Sequence, residues 1–151
     1  MRRAGSGGRD FEESAVIPEK LKLEIVTPER RVLSREVDEV ILQGEEGSFG
    51  VLPGHAPLLA GLAPGVAIAR GDGRTEVMAI SSGFAEILPD RVTVLAETCE
   101  LAHEIDAERA RSKVSHYERM LREPHPETDP EIVRFRLSKH LARISATQIT
   151  S

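Results

Sequence analysis

The chain has 151 residues, enough for one domain with a proper core or for one domain with a small appendage. Its formal net charge of −5 and its isoelectric point of about 5.6 exclude the strongly basic surface typical of nucleic-acid-binding proteins. Aromatic residues make up 3% of the chain and Trp is absent, so the core must be built from Val, Ile, Leu and Ala, with no platform for stacking bases or sugars.

The first 18 residues lack the features of a targeting segment. Three arginines and three acidic residues lie there without an apolar run, which argues against a secretory signal and against a transit peptide. Residues 1–18 are therefore predicted to form a flexible N-terminal extension. Elsewhere no apolar run approaches the ~20 residues that a membrane-spanning helix needs.

Short β-rich runs separated by turn residues fill residues 19–102. Asp72-Gly73 and Pro89-Asp90 are typical of tight turns, and Cys99, the only cysteine, is predicted to be a small buried residue. Many short strands with no helix between them indicate an antiparallel β-sandwich or barrel. The predicted strands are Leu21–Val26, Val32-Leu33, Val37–Gln43, Leu58–Leu62, Val66–Arg70, Glu76–Ser81, Phe84–Leu88 and Val92–Ala96.

Residues 103–151 are charged and helical in pattern. Apolar residues at intervals of three and four from Ala107 to Leu121 predict a helix with Asp106 as its N-cap. Pro124 ends this helix, and Asp129-Pro130 is a favourable start for a second one. Both helices are predicted to be short and to need external packing. The predicted fold is therefore β + α, an N-terminal antiparallel β-sandwich followed by a C-terminal two-helix αα-hairpin that acts as a regulatory domain.

The segment between Gly44 and Gly54 is rich in Gly and Pro and is predicted to be a loop or a very short strand. Gly50 is expected to need a positive φ, and Leu52 and Leu58 are expected to anchor the loop to the core. His55 is the only histidine before residue 103. From the residues alone, His55 is either a loop residue bonded to nearby backbone or part of a contact site.

The string GSFGVLPGHAPLL at residues 47–59 resembles the loop signature of the epsilon subunit of bacterial F-type ATP synthases. The resemblance continues, in order, through Leu23–Pro28, Gly65-Val66, Ser82–Glu86, Val92–Glu97 and Ile105–Ala110. The N-terminal extension is longer than expected for that family, and the inter-helix segment is unusually rich in proline.

The resemblance implies a non-catalytic rotor subunit in the central stalk of a proton-translocating ATP synthase, peripheral on the cytoplasmic face of the cell membrane. It implies three sets of partners: the gamma subunit, the ring of membrane c subunits, and the catalytic alpha and beta subunits, reached by the C-terminal helices. No cofactor is required. The residues that would face the ring or stalk are Gly47, Ser48, Phe49, Gly50 and His55.

The hairpin carries two further implied sites. Ile105, Asp106, Arg109 and Ala110 match the motif with which some bacterial epsilon subunits bind ATP as a regulatory ligand, and cations on the second helix could meet its phosphates. The residues alone leave open that Asp106 is only an N-cap and that the basic residues form a solvated face. The resemblance also implies inhibitory contacts with a catalytic subunit. The phosphate-facing cations would be Lys139 and Arg143, and the inhibitory contacts Arg134, Arg136, Lys139 and Arg143.

Enzymatic activity of the chain itself is not expected. A metal enzyme on a β-sandwich needs several converging His and carboxylate ligands, and the strand-rich part offers one His. The sequence contains neither a P-loop nor a G-x-S-x-G motif. The alternative hypothesis is a stand-alone ATP-binding sensor domain, which depends on residues 105–110 alone.

Overall fold

The computed structural model describes residues 16–150. Most of the predicted extension at residues 1–18 therefore lies outside the described residues. Ten strands precede a 3₁₀ turn at Ala102–Glu104 and two helices, α1 (Ala107–Arg122) and α2 (Pro130–Thr150). The strands are β1 Leu21–Val26, β2 Arg31–Val37, β3 Glu39–Gly44, β4 Gly47–Val51, β5 Leu58–Leu62, β6 Gly65–Gly71, β7 Arg74–Ile80, β8 Gly83–Leu88, β9 Arg91–Ala96 and β10 Cys99–Leu101.

The strands form one continuous hydrogen-bonded path, folded into a sandwich. Their order is β10-β7-β6-β3-β5-β8-β9-β1-β2, with β4 paired to β3 outside this path. The predicted antiparallel pairing is confirmed except at one place, where β1 and β9 are parallel. No hairpin connects these two strands, which are far apart in the sequence, so chain reversal does not dictate their direction.

The core is built from the alternating apolar residues that the sequence predicts. Leu21, Leu23 and Ile25 on β1 are fully buried, as are Val92 and Val94 on β9. Cys99 is buried as predicted, and this burial raises the pKa of its thiol to about 12. The predicted β-sandwich is thus confirmed, with an aliphatic core.

The segment between Gly44 and Gly54, predicted to be a loop or a very short strand, contains the five-residue strand β4. β4 pairs with β3 from Val40↔Val51 to Gly44↔Gly47, and these backbone bonds outweigh the low strand propensity of its two glycines. Val51 is fully buried, whereas Leu52 and Leu58 are 58% and 43% exposed. The prediction that the two leucines anchor the loop is therefore wrong. Val51 anchors it.

The predicted positive φ of Gly50 is also wrong. Gly50 lies within β4 opposite Ile41, where the backbone is extended and no special freedom is needed. The positive φ values in this region belong to Gly47 (+128°), the first residue of β4, and to Gly54 (+89°), in the loop after that strand. A side chain at Gly50 would therefore meet no backbone strain, and no atom lies within 4 Å of a Cβ added there.

The two helices begin as the sequence predicts. Asp106 Oδ1 accepts a hydrogen bond from the Arg109 amide at 3.0 Å, and Asp129 Oδ1 accepts one from the Glu131 amide at 2.9 Å. α2 has 21 residues, so the expectation of two short helices is wrong for it, since no Gly or Pro follows Pro130 to end it early. α1 and α2 pack on each other, and α2 also packs on β6 and β7.

Candidate functional site

A cleft of about 270 Å³ lies where the base of the hairpin meets the sandwich. Four elements meet there: β10, the 3₁₀ turn with the segment after it, α1 and α2. All four motif residues predicted for ATP binding line the cleft, and Arg143 reaches it from α2. The lining residues are Glu100, Glu104, Ile105, Asp106, Arg109, Ala110, Lys113, His140 and Arg143.

Local sequence explains how the helices come close enough to form this cleft. Asp106 caps α1, which fixes the first turn that carries Arg109 and Ala110. Ala110 is buried at 2% exposure, and Ala142 and Ala146 are buried on α2. The small side chains of Ala142 and Ala146 allow α2 to approach Val77 and Ala79 on the outer face of β7.

Only one of the two predicted phosphate-facing cations of α2 lies in the cleft. Arg143 lines it, whereas Lys139 has its Nζ 5.9 Å from the centroid of the Phe135 ring and does not. Sequence analysis also missed Glu100, Glu104, Lys113 and His140. His140 stands three residues before Arg143, so helical spacing alone could have placed these two on one face.

Ion pairs and hydrogen bonds fix the charged groups of the cleft. Arg143 donates through Nε to Glu100 Oε1, and its Nη1 lies 3.0 Å from His140 Nδ1. Arg30 Nη2 donates to Glu104 Oε1 at 2.9 Å, and that bond, with one from the Leu101 amide, lowers the pKa of the Glu104 carboxyl. The cleft thus offers cations to the anionic groups of a ligand and carboxylates to its hydrogen-bond donors.

The residues predicted to face the ring or stalk do not form one contiguous loop. Gly47 and Ser48 are exposed at the start of β4, beside the turn that links β3 to β4, while Phe49 packs partly against the core. His55 lies beyond the other end of β4, where Gly54 N donates to Pro89 O at 2.7 Å. The length of β4, roughly 13 Å at 3.3 Å per residue, separates the two groups.

His55 makes local backbone contacts. Its Nδ1 lies 2.7 Å from Ala56 O, and its amide donates to Leu52 O at 3.1 Å. These contacts favour the first of the two interpretations left open for His55, a loop residue bonded to nearby backbone.

A row of exposed apolar side chains crosses the outer face of β8 and β9. Phe84 and Leu95 are directly paired across these strands and are 60% and 57% exposed. Val26, which is half-buried, continues the row on β1, opposite Leu95. Leu59 on the adjacent strand β5 is 71% exposed, and it lies diagonally from Phe84, since its direct partner on β8 is Glu86. We call Phe84, Leu95, Val26 and Leu59 the apolar row. It was not predicted, because strand alternation does not tell which outward residues lie side by side.

Neither a membrane-spanning helix nor a metal site is found in the described part of the chain. Residues 16–150 contain no helix with the length and hydropathy to cross a bilayer. Within the same residues, no group of three or more His, Cys, Asp or Glu side chains could hold a metal ion.

Comparisons with known proteins agree on one family. The family model described as "ATP synthase, Delta/Epsilon chain, beta-sandwich domain" matches residues 20–102. The ATP synthase epsilon chain of Geotalea uraniireducens (strain Rf4) is 50% identical over 109 residues, which cover 72% of this chain and 79% of that protein. The ATP synthase epsilon chain of Syntrophobacter fumaroxidans is 43% identical over 132 residues, which cover 87% of this chain and 98% of that protein.

A solved structure shares the fold of both parts of the chain. One chain of the Euglena gracilis mitochondrial ATP synthase, from its OSCP/F1/c-ring structure in rotational state 1, superposes with a TM-score of 0.78. The match covers 87% of this chain and 83% of that chain at 23% sequence identity. Sandwich and hairpin thus occur together, in this order, in a solved ATP synthase assembly.

Proposed function

The chain belongs to the family of ATP synthase epsilon chains, which are non-catalytic subunits of that enzyme, and on that premise we propose that it is a rotor subunit of the central stalk. In this role it couples rotation of the membrane c-ring to ATP synthesis in the catalytic head, at the cytoplasmic face of the cell membrane. The observation that carries the proposal is the apolar row, an exposed surface suited to permanent burial against a partner.

The apolar row is the proposed contact with the gamma subunit. Large apolar side chains that lie side by side and exposed are typical of interaction surfaces, and aromatic residues such as Phe84 often dominate binding energy. The row lies on β5, β8, β9 and β1, whereas α2 packs on β6 and β7. The sandwich can therefore bind a stalk partner while its hairpin stays docked.

Replacing Phe84 with aspartate should weaken binding to the gamma subunit roughly tenfold or more, because a charge would be buried in the interface. Co-purification and titration of the two subunits measure this. Leu52→Asp is the matched control, since Leu52 is 58% exposed but belongs to the loop between β4 and β5 and not to the row. Circular dichroism should show that both variants are folded. Wild-type affinity in Phe84→Asp, or an equal loss in Leu52→Asp, would contradict the assignment.

The proposed ring contact is the turn between β3 and β4 with the start of β4. Glu45, Glu46, Gly47 and Ser48 are four consecutive exposed residues, and a tight hairpin turn gives the rigid protrusion that a rotating contact needs. Glu45 N donates to Gly61 O at 3.0 Å, which braces the turn against β5. In this proposal His55 is not part of the ring contact. It stabilises the loop that follows β4, at the opposite end of that strand.

The cleft at the base of the hairpin is the proposed site for regulatory ATP. Arg109, Lys113 and Arg143 supply positive charge for phosphates, while Glu100 and Asp106 can accept hydrogen bonds from the nucleoside. We further propose that the hairpin exchanges between this docked form and a form extended toward the catalytic head, in which the basic residues of α2 inhibit ATP hydrolysis. Because the cleft is formed jointly by the sandwich and both helices, a ligand bound there stabilises the docked form.

Replacing Arg109 with alanine should weaken ATP binding roughly tenfold or more, since it removes a charge-assisted hydrogen-bond donor from the cleft. Isothermal titration calorimetry on the isolated chain measures this. Lys139→Ala is the matched control, because Lys139 lies outside the cleft against Phe135. Equal losses in the two variants would contradict ATP binding in the cleft. A stand-alone sensor would bind ATP but would not co-purify with stalk subunits.

A further inference from the structure

Among the described residues, the side chains that line the cleft carry equal numbers of positive and negative charges. Three are cations and three are carboxylates, while the ring of His140 is uncharged at neutral pH because burial, followed by nearby cations, lowers its pKa to about 4. Such a balanced lining offers little net attraction to a triphosphate. The cations are Arg109, Lys113 and Arg143, and the carboxylates are Glu100, Glu104 and Asp106.

The three carboxylates of the cleft differ in their partners. Glu100 accepts a hydrogen bond from Arg143 Nε, and Asp106 caps the first turn of α1. Neither contact brings in charge from outside, because both partners already belong to the wall of the cleft. Glu104 is paired instead with the guanidinium of Arg30, which is not a lining residue.

Arg30 reaches Glu104 from the turn between β1 and β2. Its Nη2 donates to Glu104 Oε1 at 2.9 Å, and the Leu101 amide donates to the same oxygen at 3.2 Å. Thr27 fixes the backbone of the turn, since its amide donates to Arg30 O at 2.9 Å and its hydroxyl oxygen accepts from the Arg30 amide at 3.3 Å. The sandwich therefore positions both members of the ion pair.

We propose that Arg30 is a positioning residue for the regulatory ATP site, which neutralises Glu104 and so gives the cleft the net positive charge that a triphosphate needs. This inference rests on the ATP site proposed above. Arg30 acts through Glu104 without lining the cleft itself. With Arg30 the three cations of the lining become four against three carboxylates, whereas without it the charge of Glu104 is uncompensated and repels the phosphates.

The expected effect is moderate and depends on the charge of the ligand. The side chains of Arg30 and Glu104 are 49% and 37% exposed, so water and salt screen the repulsion that follows the loss of Arg30. We expect ATP affinity to fall about three- to tenfold. Because the repulsion grows with the charge of the ligand, ADP should lose less affinity than ATP, and AMP should lose the least.

Isothermal titration calorimetry on the full chain can test the proposal with ATP, ADP and AMP, at neutral pH and without Mg²⁺, so that the phosphates keep their full charge. Arg30→Gln removes the cation. Arg31→Gln is the matched control, since Arg31 is the next residue and pairs at 3.0 Å with Glu24, which does not line the cleft. This control removes the same charge from the chain and should bind ATP like the parent.

A double variant separates charge balance from structure. Arg30→Gln combined with Glu104→Gln also lacks the ion pair, but it leaves no uncompensated carboxylate and restores the net charge of the cleft. If Arg30 acts through charge balance, the double variant should regain an ATP affinity close to that of the parent. If the ion pair only holds the 3₁₀ turn in place, the double variant should bind ATP as weakly as Arg30→Gln.

Four outcomes would overturn the proposal while the ATP site itself stands. They are parent affinity for ATP in Arg30→Gln, an equal loss of affinity for all three nucleotides, an equal loss in Arg31→Gln, and no recovery in the double variant. If the parent chain binds no ATP, the proposed site is wrong and the inference falls with it.

Discussion

Replacing Gly83 with alanine should destabilise the sandwich by about 3 kcal/mol, the largest effect expected from removing any glycine in the strands. Gly83 begins β8 with a φ of +149°, a conformation that other residues rarely adopt. A Cβ added there would lie 2.1 Å from Leu95 O and 2.8 Å from Ala96 Cα, both backbone atoms of β9. Because backbone cannot rotate away as a side chain can, β8 and β9 would have to separate.

Gly50→Ala is the matched control for Gly83→Ala. No atom lies within 4 Å of an added Cβ at Gly50, and the residue sits exposed in an extended strand, so its substitution should change the free energy of unfolding by less than about 0.5 kcal/mol. Urea denaturation followed by circular dichroism compares the two. If Gly83→Ala unfolds at the same urea concentration as Gly50→Ala, β8 and β9 pair less closely than the structure shows.

The strands that sequence analysis located best are those with one face in the core. β1 and β9 alternate buried and more exposed residues, and burial of one face makes this alternation necessary. β7 does not alternate, since Val77 to Ile80 are all buried. Its inner face lies in the core and its outer face lies under α2. Only tertiary docking of the hairpin creates that second cover, so no local pattern could predict it.

Sequence analysis could predict only those residues of the cleft that lie close together in the sequence. Asp106, Arg109 and Ala110 lie within one helical turn, so their spacing placed them together before the fold was known. Glu100, Lys113 and His140 come from three elements whose relative positions depend on packing. The rotation of α2 about its own axis also determines whether Lys139 or His140 lies beside Arg143 in the cleft. Small alanines on α2 set that rotation, and their effect is visible only in the docked structure.

Removing the hairpin should leave a folded sandwich. The main core cluster is built from strand residues, whereas the cluster under the hairpin is separate and contains Val77, Ala79, Ala142 and Ala146. Deleting residues 103–151 therefore exposes the outer face of β7 without opening the core. The truncated chain should still bind the gamma subunit through the apolar row. Loss of cooperative unfolding in the truncated chain would show that the sandwich depends on the hairpin.

The same truncation should raise ATP hydrolysis by the assembled enzyme about fivefold or more, if the extended hairpin inhibits the catalytic head. α2 carries Arg134, Arg136, Lys139 and Arg143 but Glu131 as its only acid. Arg134 and Arg136 are exposed in the docked form, so they are the better choice for charge reversal. Arg143→Glu would also break the contact with Glu100 and would confuse loss of inhibition with release of the hairpin.

Reversing Arg134 and Arg136 to glutamate should therefore raise hydrolysis while leaving the hairpin docked in the isolated chain. The matched control reverses Arg119 and Arg122, which are exposed at the end of α1 and change the net charge by the same amount. Since charge-assisted contacts weaken with salt, the difference between the parent and the α2 variant should shrink as ionic strength rises. Equal hydrolysis rates in the parent, truncated and α2-reversed enzymes would rule out inhibition and leave the subunit with coupling alone. Equal gains in the α1 and α2 variants would instead mean that total charge, and not the position of α2, determines inhibition.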